Sequence, residues 1–391
     1  LYLCSILAIN PDNGELVWHY QTTPGDTWDF TSVQPMMLAD LQIGGRQRKV
    51  IMQAPKNGFF YVIDRATGEL LSADKYVEVT WASHVDMKTG RPVEIPGADY
   101  KDKGTYIRPG PLGGHNWQAM SFSPKTGLVY LPAQDNGRYF EQGKWSAADF
   151  KAMQGDPTQG PLPYNLALGP IERNMEKYDI PYEGRLLAWD PVARKPKWTV
   201  EYGAYWNGGT LATAGNLVFQ GTAAGDFIAY NATTGAKLWS SWATTGIVAP
   251  PITYSIDGTQ YVSVMAGWGG AFSKKHVSYG RLLTFAIGGT ATLPARARPR
   301  TVTAIANTAT PQQIASGAKL FNTYCQRCHG GATLLPDLRR STPAVLNGLE
   351  KILDGALVER GMPRFPEFDK AMIAELRGYL LEERRKLAAA R

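Results

Sequence analysis

With 391 residues, of which 44% are hydrophobic, the chain is long enough to bury a large core and to form two domains. This content, with charged residues at only 19%, excludes a disordered chain. The 41 Gly, 26 Pro, 11 Trp and 19 Tyr are typical of many short strands joined by tight turns. Much of the net charge of +7 comes from residues 296–300 and 384–386, which argues against a nucleic-acid groove and favours docking to an acidic partner.

The chain begins Leu1-Tyr2-Leu3-Cys4, which is typical of the middle of a strand, with no initiating Met and no leader. We therefore expect that the N-terminal part of a longer protein precedes it. No run of about 18 apolar residues occurs, so the sequence predicts no membrane span. Cys4 has no obvious pairing partner, and we interpret it as a small buried strand residue.

A hairpin pattern recurs in the first part of the chain. It consists of an apolar strand, a turn with Asn, Asp or Thr followed by Gly, and a second strand closed by Trp. Its copies span residues 7–18 and 227–239, with weaker copies at 64–68 and 189–198. Trp198 and Trp239 are 41 residues apart, a spacing suited to one four-stranded propeller blade. Each Trp is expected to pack between neighbouring blades.

A change of composition divides the chain. Residues 288–310 are rich in Gly, Thr, Ala, Pro and Arg and show no strand alternation, which predicts an extended linker. We therefore assign residues 1–287 to an all-β propeller and residues 311–391 to a small all-α domain.

A helix capped by Thr310 is predicted to start at Pro311 and to lead into Cys325-Gln-Arg-Cys328-His329. In a Cys-x-x-Cys-His motif the two thiols bond to the vinyl groups of one porphyrin and the His ligates its iron. A zinc half-site or a redox dithiol is the alternative, but no second Cys or His pair follows to complete a tetrahedral zinc site. The motif therefore predicts a cytochrome c domain with covalently bound haem c. The other histidines show no paired metal spacing and are interpreted as structural or surface residues: His19, His84, His115 and His276.

The sixth ligand of the haem iron is expected from a loop on the opposite side of the porphyrin. Met362, in Gly-Met-Pro between two helical segments, is our choice. Met372 is the alternative, but it lies in a predicted amphipathic helix, where a buried Met is more often core packing. Thioether ligation raises the haem potential, which suits an electron acceptor.

Four motifs of the first domain resemble those of the soluble type II quinohaemoprotein alcohol dehydrogenases, which contain pyrroloquinoline quinone (PQQ) and haem c. They are TPGDTWDFTS at 23–32, APKNGFFYVID at 54–64, HNWQ at 115–118 and WNGGTL at 206–211. The resemblance covers essentially the whole chain, in the family's order. It implies an eight-bladed propeller, which is incomplete here because 287 residues suffice for only half to two-thirds of eight blades.

The resemblance implies that Asp29 is the general base and one calcium ligand, with the other ligands in the missing part. Because Asp29 lies between Trp28 and Phe30 in an alternating segment, we expect its carboxylate to point away from both rings into a partly dry pocket. Without the motif, such an Asp is more often a turn or cap residue. Position 31 is Thr, where lanthanide-using relatives place a second Asp, so calcium is favoured.

The resemblance also implies the PQQ contacts. Lys56 would face the quinone and stabilise its developing oxyanion, the alternative being a solvated Lys at an Asn-Gly turn. Asn116 and Trp117 would supply an amide and a large ring, the alternative being a core Trp beside a strand-edge amide. Val248, through its backbone, and Trp206, at the floor of the site, complete the implied contacts.

Together these features predict a periplasmic enzyme that oxidises small alcohols to aldehydes or ketones by hydride transfer to PQQ. Electrons would then pass one at a time through haem c to an external acceptor such as a cupredoxin or a soluble cytochrome. Two alternatives stay open. One is a truncated, haem-bearing electron-transfer or binding propeller without turnover, and the other is a related quinohaemoprotein that acts on a polymer or a cyclic ether alcohol.

Overall fold

The computed structural model describes residues 2–141, 183–202, 204–268, 280–293, 302–325, 329, 338–360 and 362–389. They fall into two compact units. The first contains the described residues up to 267 together with 280–291, and the second contains residue 268 and those from 292 onwards. Among the helices described, none combines the length and the apolarity that crossing a bilayer requires.

The first unit is built from strands joined mainly by hairpins. Their bounds, in chain order, are β1 Ser5–Ile9, β2 Leu16–Gln21, β3 Met37–Ile43, β4 Arg46–Gln53, β5 Phe59–Asp64, β6 Leu70–Lys75, β7 Ala82–Asp86, β8 Arg91–Glu94, β9 Thr105–Ile107, β10 Ser121–Ser123, β11 Leu128–Asp135, β12 Arg138–Phe140, β13 Glu183–Asp190, β14 Lys195–Tyr202, β15 Thr210–Ala212, β16 Leu217–Gly221, β17 Asp226–Asn231, β18 Lys237–Trp242, β19 Ile252–Ile256, β20 Thr259–Ala266 and β21 Arg281–Ala286.

Four-stranded antiparallel sheets dominate this unit. Their strand orders are β3-β4-β5-β6, β10-β11-β13-β14 and β15-β16-β17-β18, and β19-β20-β21 form a three-stranded sheet. The remaining described strands pair as β1-β2, β7-β8 and β9-β12. Four-stranded meanders of this kind are the blades of a propeller. The predicted all-β propeller is therefore confirmed.

The recurring hairpins contact their neighbours through Trp. Trp18 on β2 lies over the β5-β6 turn, where its Nε1 donates to a backbone carbonyl at 3.1 Å and a Cβ on Gly68 would meet the ring at 2.9 Å. Trp198 on β14 contacts the β17-β18 turn in the same way, with a 3.1 Å hydrogen bond and a 2.8 Å approach at Gly235. Both glycines have positive φ. A side chain at either position is therefore disfavoured by the backbone conformation as well as by its contact with the indole ring. Each Trp thus ties its hairpin to the turn of a neighbouring sheet, as predicted.

An aromatic cluster holds the loop that precedes β3. Trp28 and Phe30 are 1% and 0% exposed, their rings stack at 5.6 Å, and Trp28 lies 4.9 Å from Trp81. The Trp28 Nε1 donates to the Ala98 carbonyl at 2.8 Å. Burial of each such side chain contributes about 2–3 kcal/mol to stability. The two buried rings therefore anchor the loop on both sides of Asp29.

The start of the chain differs from our expectation. The first strand begins at Ser5, and Cys4 lies in the preceding turn with a left-handed φ of 49°. Its thiol is half-buried and donates to Asp26 Oδ2 at 3.5 Å. Cys4 is therefore not a buried strand residue, because the turn directs its side chain to a carboxylate.

The second unit is a small helical domain, as predicted. Helix α1 (Pro311–Leu320) is capped by Thr310, whose Oγ1 accepts from Gln313 N at 3.2 Å while Gln313 Oε1 accepts from Thr310 N at 2.9 Å. This confirms the predicted capping box. The other helical segments are a π-helical turn Phe321–Cys325, a 3₁₀ turn Leu338–Arg340, α2 Pro343–Asn347, α3 Leu349–Lys351, a π-helical turn Ile352–Ala356, a 3₁₀ turn Val358–Arg360 and α4 Lys370–Ala389.

Part of the basic tail is used inside this domain. Arg384 is only 7% exposed, and its guanidinium donates to three backbone carbonyls, those of Thr303 at 2.8 Å, Arg339 at 3.2 Å and Ser341 at 2.8 Å. Arg385 and Lys386 each pair with a glutamate one helical turn earlier. The expectation that this run serves an acidic partner is therefore wrong for Arg384, which binds the domain's own backbone.

Candidate active site

Asp29 and Lys56 form an ion pair in the first unit. The Lys56 Nζ donates to Asp29 Oδ2 at 3.2 Å and to the backbone carbonyl of the same residue at 3.0 Å. The Lys56 side chain is 10% exposed and that of Asp29 is 65% exposed. The buried ammonium of Lys56 thus holds the solvent-accessible carboxylate of Asp29 in place.

The backbone of Asp29 corrects the predicted local structure. Asp29 lies in a loop and not in a strand, and its φ of 66° is left-handed, which costs about 1–2 kcal/mol for a residue other than Gly. Its side chain is 65% exposed, whereas those of Trp28 and Phe30 are buried. The partly dry pocket is not formed by the described residues, because the carboxylate stays mostly exposed.

Asp26 stabilises this loop. It was not identified as a site residue from the sequence. Its Oδ1 accepts from Trp28 N at 3.0 Å and its Oδ2 accepts from Phe30 N at 2.9 Å. Burial raises the pKa of the Asp26 carboxyl, while the two amide hydrogen bonds act in the opposite direction. The available signal was an Asp two residues before a buried aromatic, since Asp commonly accepts from the amide two positions on.

The loop before Asn116 packs on Lys56. Gly114 N donates to the Lys56 carbonyl at 3.0 Å. Gly113 has a φ of 77°, and a Cβ there would overlap Cβ and Cγ of Lys56. Gly is therefore required at position 113 both by its backbone and by the lysine stem beneath it.

Asn116 and Trp117 follow directly. The Asn116 Nδ2 donates to Leu112 O at 2.8 Å and its Oδ1 accepts from Trp117 N at 2.9 Å, which leaves one amide hydrogen for a further acceptor. Trp117 is 43% exposed, whereas Trp206 is 6% exposed. The two rings meet edge to face at 6.5 Å, so the structure places both predicted tryptophans together.

Val248 lies in a neighbouring segment of the same unit. It is 6% exposed, and its flanking residues approach the segment of Trp206, since a Cβ on Gly208 would lie 2.8 Å from the Ile247 carbonyl. Close by in sequence, Thr245 Oγ1 is buried with no hydrogen-bond partner within the described part of the chain. A continuous series of contacts therefore runs from Asp29 to the segment of Val248.

His115 is fully buried between two backbone carbonyls. Its Nδ1 lies 2.8 Å from the Ala54 oxygen and its Nε2 2.6 Å from the Gln118 oxygen. These acceptors favour a doubly protonated ring, but burial opposes the charge more strongly and lowers the pKa of His115 to about 4. The neutral ring joins the segment of Lys56 to that of Trp117.

Acidification is expected to destabilise the first unit through His115. Between the ordinary pKa of 6.5 and about 4, the unfolded chain binds a proton that the folded chain does not, so the free energy of unfolding falls by about 3 kcal/mol as the pH is lowered. Urea unfolding at neutral pH and near the lower value, for the wild type and His115→Gln, measures this. The exposed His84→Gln is the control. Equal pH dependence in the wild type and His115→Gln would contradict the prediction.

The haem-binding residues lie in the second unit. Cys325 is 4% exposed and belongs to an apolar core with Leu349, Leu353 and Phe365, and His329 is half-buried. Cys328 lies outside the described residues. Met362 and Met372 both pack against this core, so the packing does not choose between them.

The loop of Met362 is fixed by its surroundings. Met362 N donates to Leu357 O at 3.2 Å, and Arg364 pairs with Asp354 at 2.7 Å. Met372, by contrast, lies within α4, as expected. Met362 therefore stays our predicted axial ligand.

Comparison with known proteins gives two matching family models. The model described as glucose/ethanol/alcohol dehydrogenase, beta-propeller domain, matches residues 1–85 and 86–262. The model described as cytochrome C oxidase, cbb3-type, subunit III, matches residues 312–380. Fold and site together therefore define a propeller of the PQQ dehydrogenase class followed by a cytochrome domain.

Individual relatives make this more specific. Quinohemoprotein alcohol dehydrogenase ADH IIB of Pseudomonas putida is 48% identical over 94% of this chain and 54% of its own length. The 1-butanol dehydrogenase (cytochrome c) of Thauera butanivorans is 42% identical over 93% of this chain and 54% of its own length. The crystal structure of quinohemoprotein alcohol dehydrogenase from Comamonas testosteroni aligns with a TM-score of 0.81 at 41% identity, over 100% of this chain and 58% of that one.

The chain belongs to the PQQ dehydrogenase family that the matching propeller model describes. It is similar over nearly its whole length to quinohemoprotein alcohol dehydrogenases, which confirms the predicted resemblance. It spans about half the length of the curated relatives it matches.

Proposed function

We propose that this chain contributes the general base and the electron exit of a PQQ-dependent alcohol dehydrogenase of the cytochrome c type. The observation that carries the proposal is the Asp29-Lys56 pair, an accessible carboxylate fixed by a buried ammonium. A carboxylate that takes the hydroxyl proton of an alcohol needs both access to the substrate and a fixed position. The substrate class proposed is small primary and secondary alcohols.

The described residues fit PQQ, which is a planar, anionic quinone. Lys56 supplies a cation with one hydrogen left after its two bonds to Asp29. Trp117 offers a partly exposed aromatic ring, and Thr245 offers a buried hydroxyl without a partner among the described residues. We propose Lys56, Asn116, Trp117, Trp206 and Val248 as its contacts, as the sequence predicts.

When bound, PQQ supplies the carbon that accepts hydride from the alcohol. Asp29 takes the hydroxyl proton on its carboxylate as the hydride leaves. Lys56 holds both the carbonyl and the carboxylate of Asp29, and its charge stabilises negative charge that develops nearby. The rings of Trp117 and Trp206, which meet edge to face at 6.5 Å, would offer aromatic surface to the planar quinone.

We also propose calcium, for which the described residues supply one ligand. Calcium takes six to eight oxygen ligands, whereas the described residues contain no group of three or more His, Cys, Asp or Glu that could hold a metal. Asp29 is our proposed ligand, and the described residues do not form a calcium site by themselves.

Haem c fits the second unit. Cys325 lies in an apolar core against which Met362 packs, and apolar surroundings with a thiol and a thioether are what a covalently bound, Met-ligated haem requires. We propose covalent attachment at Cys325 and Cys328, with His329 and Met362 as the iron ligands. When bound, haem c carries single electrons to an external acceptor, for which a cupredoxin or a soluble cytochrome is proposed. We propose the periplasm as the location, since the family resemblance implies it.

The test loads the purified haem protein with PQQ and calcium, adds ethanol, and follows the absorbance of reduced haem c. Reduction that requires both PQQ and ethanol is the expected result. A sample without PQQ is the control, and bound quinone is verified by its own absorbance. Haem that stays oxidised although PQQ is bound would overturn the proposal and favour a haem-bearing propeller without turnover.

The same assay with a panel of alcohols tests the substrate class. Faster haem reduction by ethanol and butanol than by a cyclic ether alcohol or a polymeric alcohol is expected. The opposite order would assign the chain to a quinohaemoprotein for those larger alcohols.

A further inference from the structure

The loop that carries Asp29 is closed by a second carboxylate. Asp26 accepts the amide hydrogens of Trp28 and Phe30, the two residues that flank Asp29, at 3.0 and 2.9 Å. The Cys4 thiol donates to the same carboxylate at 3.5 Å. The two oxygens of one side chain therefore bracket Asp29 by binding the amides of the residues before and after it.

This bracket differs from the turns of the blades. In the hairpin turns, Asp64, Asp190 and Asn231 each accept from the amides two and three positions later. Asp26 accepts from the amides two and four positions later and so passes over Asp29. The residue passed over is the one with the left-handed φ of 66°, so the chain bulges at Asp29.

The bulge explains how one residue can bind Lys56 twice. The carbonyl and the carboxylate of Asp29 both accept from the Lys56 Nζ, at 3.0 and 3.2 Å. In an extended strand, the side chain stands roughly perpendicular to the sheet while the carbonyl lies in its plane. The left-handed backbone brings the two acceptors to the same side.

We infer that Asp26 is a positioning residue, which sets the backbone of Asp29 so that its carboxylate is held by Lys56 and presented outward. The expected effect of Asp26 on kcat rests on the proposed function. Its structural consequence, the geometry of the Asp29-Lys56 pair, stands independently of any activity.

The test compares Asp26→Ala with Asp190→Ala in the protein loaded with PQQ and calcium. Asp190 is a matched control, because its carboxylate also accepts two backbone amides, at 3.0 and 2.8 Å, but at a hairpin turn. For Asp26→Ala we expect kcat to fall about tenfold to a hundredfold, with a smaller change in KM. Asp190→Ala is expected to keep both constants. Asp26→Asn, which retains one acceptor oxygen, should recover part of the lost kcat.

Crystal structures of the two alanine variants give the second measurement. In Asp26→Ala, Asp29 is expected to leave the left-handed region and the Asp29-Lys56 hydrogen bonds to break, whereas in Asp190→Ala both are expected to persist. An intact pair in Asp26→Ala, or an unchanged kcat, overturns the inference. If the wild type oxidises no alcohol, the proposed function fails, and the crystal structures still decide the role of Asp26. If Asp26→Ala does not fold, Asp26→Asn decides, and failure of both to fold while Asp190→Ala folds assigns Asp26 to stability alone.

Discussion

Replacing Asp29 by Asn is expected to lower kcat for alcohol oxidation by about 10³-fold. The amide keeps one oxygen that can accept from Lys56, at the position where Oδ2 now lies 3.2 Å from Nζ, so the loop should keep its shape. It cannot take the hydroxyl proton, and general-base catalysis is worth about 10²–10⁴-fold. The rate of haem c reduction by ethanol in the PQQ-loaded protein measures the effect.

Asp40→Asn is the matched control for Asp29→Asn. Asp40 also forms an ion pair, with Arg65 at 3.2 Å, and is 48% exposed, so it matches Asp29 in charge and exposure. Its replacement should leave kcat unchanged. Wild-type turnover in Asp29→Asn would remove Asp29 as the base.

Replacing Lys56 by Met is expected to lower kcat by about 10²-fold, because it removes the fixed charge that stabilises developing negative charge. The side chain is largely buried and its stem lies under Gly113, a position that the unbranched Met can fill. Asp29 would lose both hydrogen bonds from Nζ. We therefore expect weaker PQQ binding as well, measured by titration of the quinone.

Lys75→Met controls for the loss of a lysine in the same unit. The Lys75 Nζ donates to a backbone carbonyl, that of Val79 at 3.2 Å, and not to Asp29. It should retain both the turnover and the PQQ affinity of the wild type. Lys56→Met with unchanged turnover and affinity would rule out Lys56 as the quinone-facing cation.

Features with local causes could be predicted from the sequence. The hairpins follow from strand alternation and from Gly in the turns, and both Gly68 and Gly235 take the positive φ that such turns need. The capping box at Thr310 and Gln313 depends on residues three positions apart. The resemblance supplied the site residues, and the structure places Asp29 with Lys56 and Trp117 with Trp206.

Features with distant causes could not be predicted. The alternation of Trp28, Asp29 and Phe30 indicated a strand, but their environment depends on residues far along the chain, such as Ala98, which is 70 positions from Trp28. Arg384 looked like one member of a solvated basic run. Its acceptors at Thr303 and Ser341 are 81 and 43 residues away, and no local pattern reveals them.

The tryptophan contacts between sheets have a consequence for how the propeller assembles. Trp18 and Trp198 each rest on a turn that comes later in the chain, at Gly68 and Gly235. A hairpin whose own strands have paired therefore keeps an uncovered indole until the later turn has formed. Because the chain is synthesised from its N-terminal end, each of these sheets is completed only after the later turn has been made. Until then the exposed indole is a site at which a chaperone or a second chain can bind.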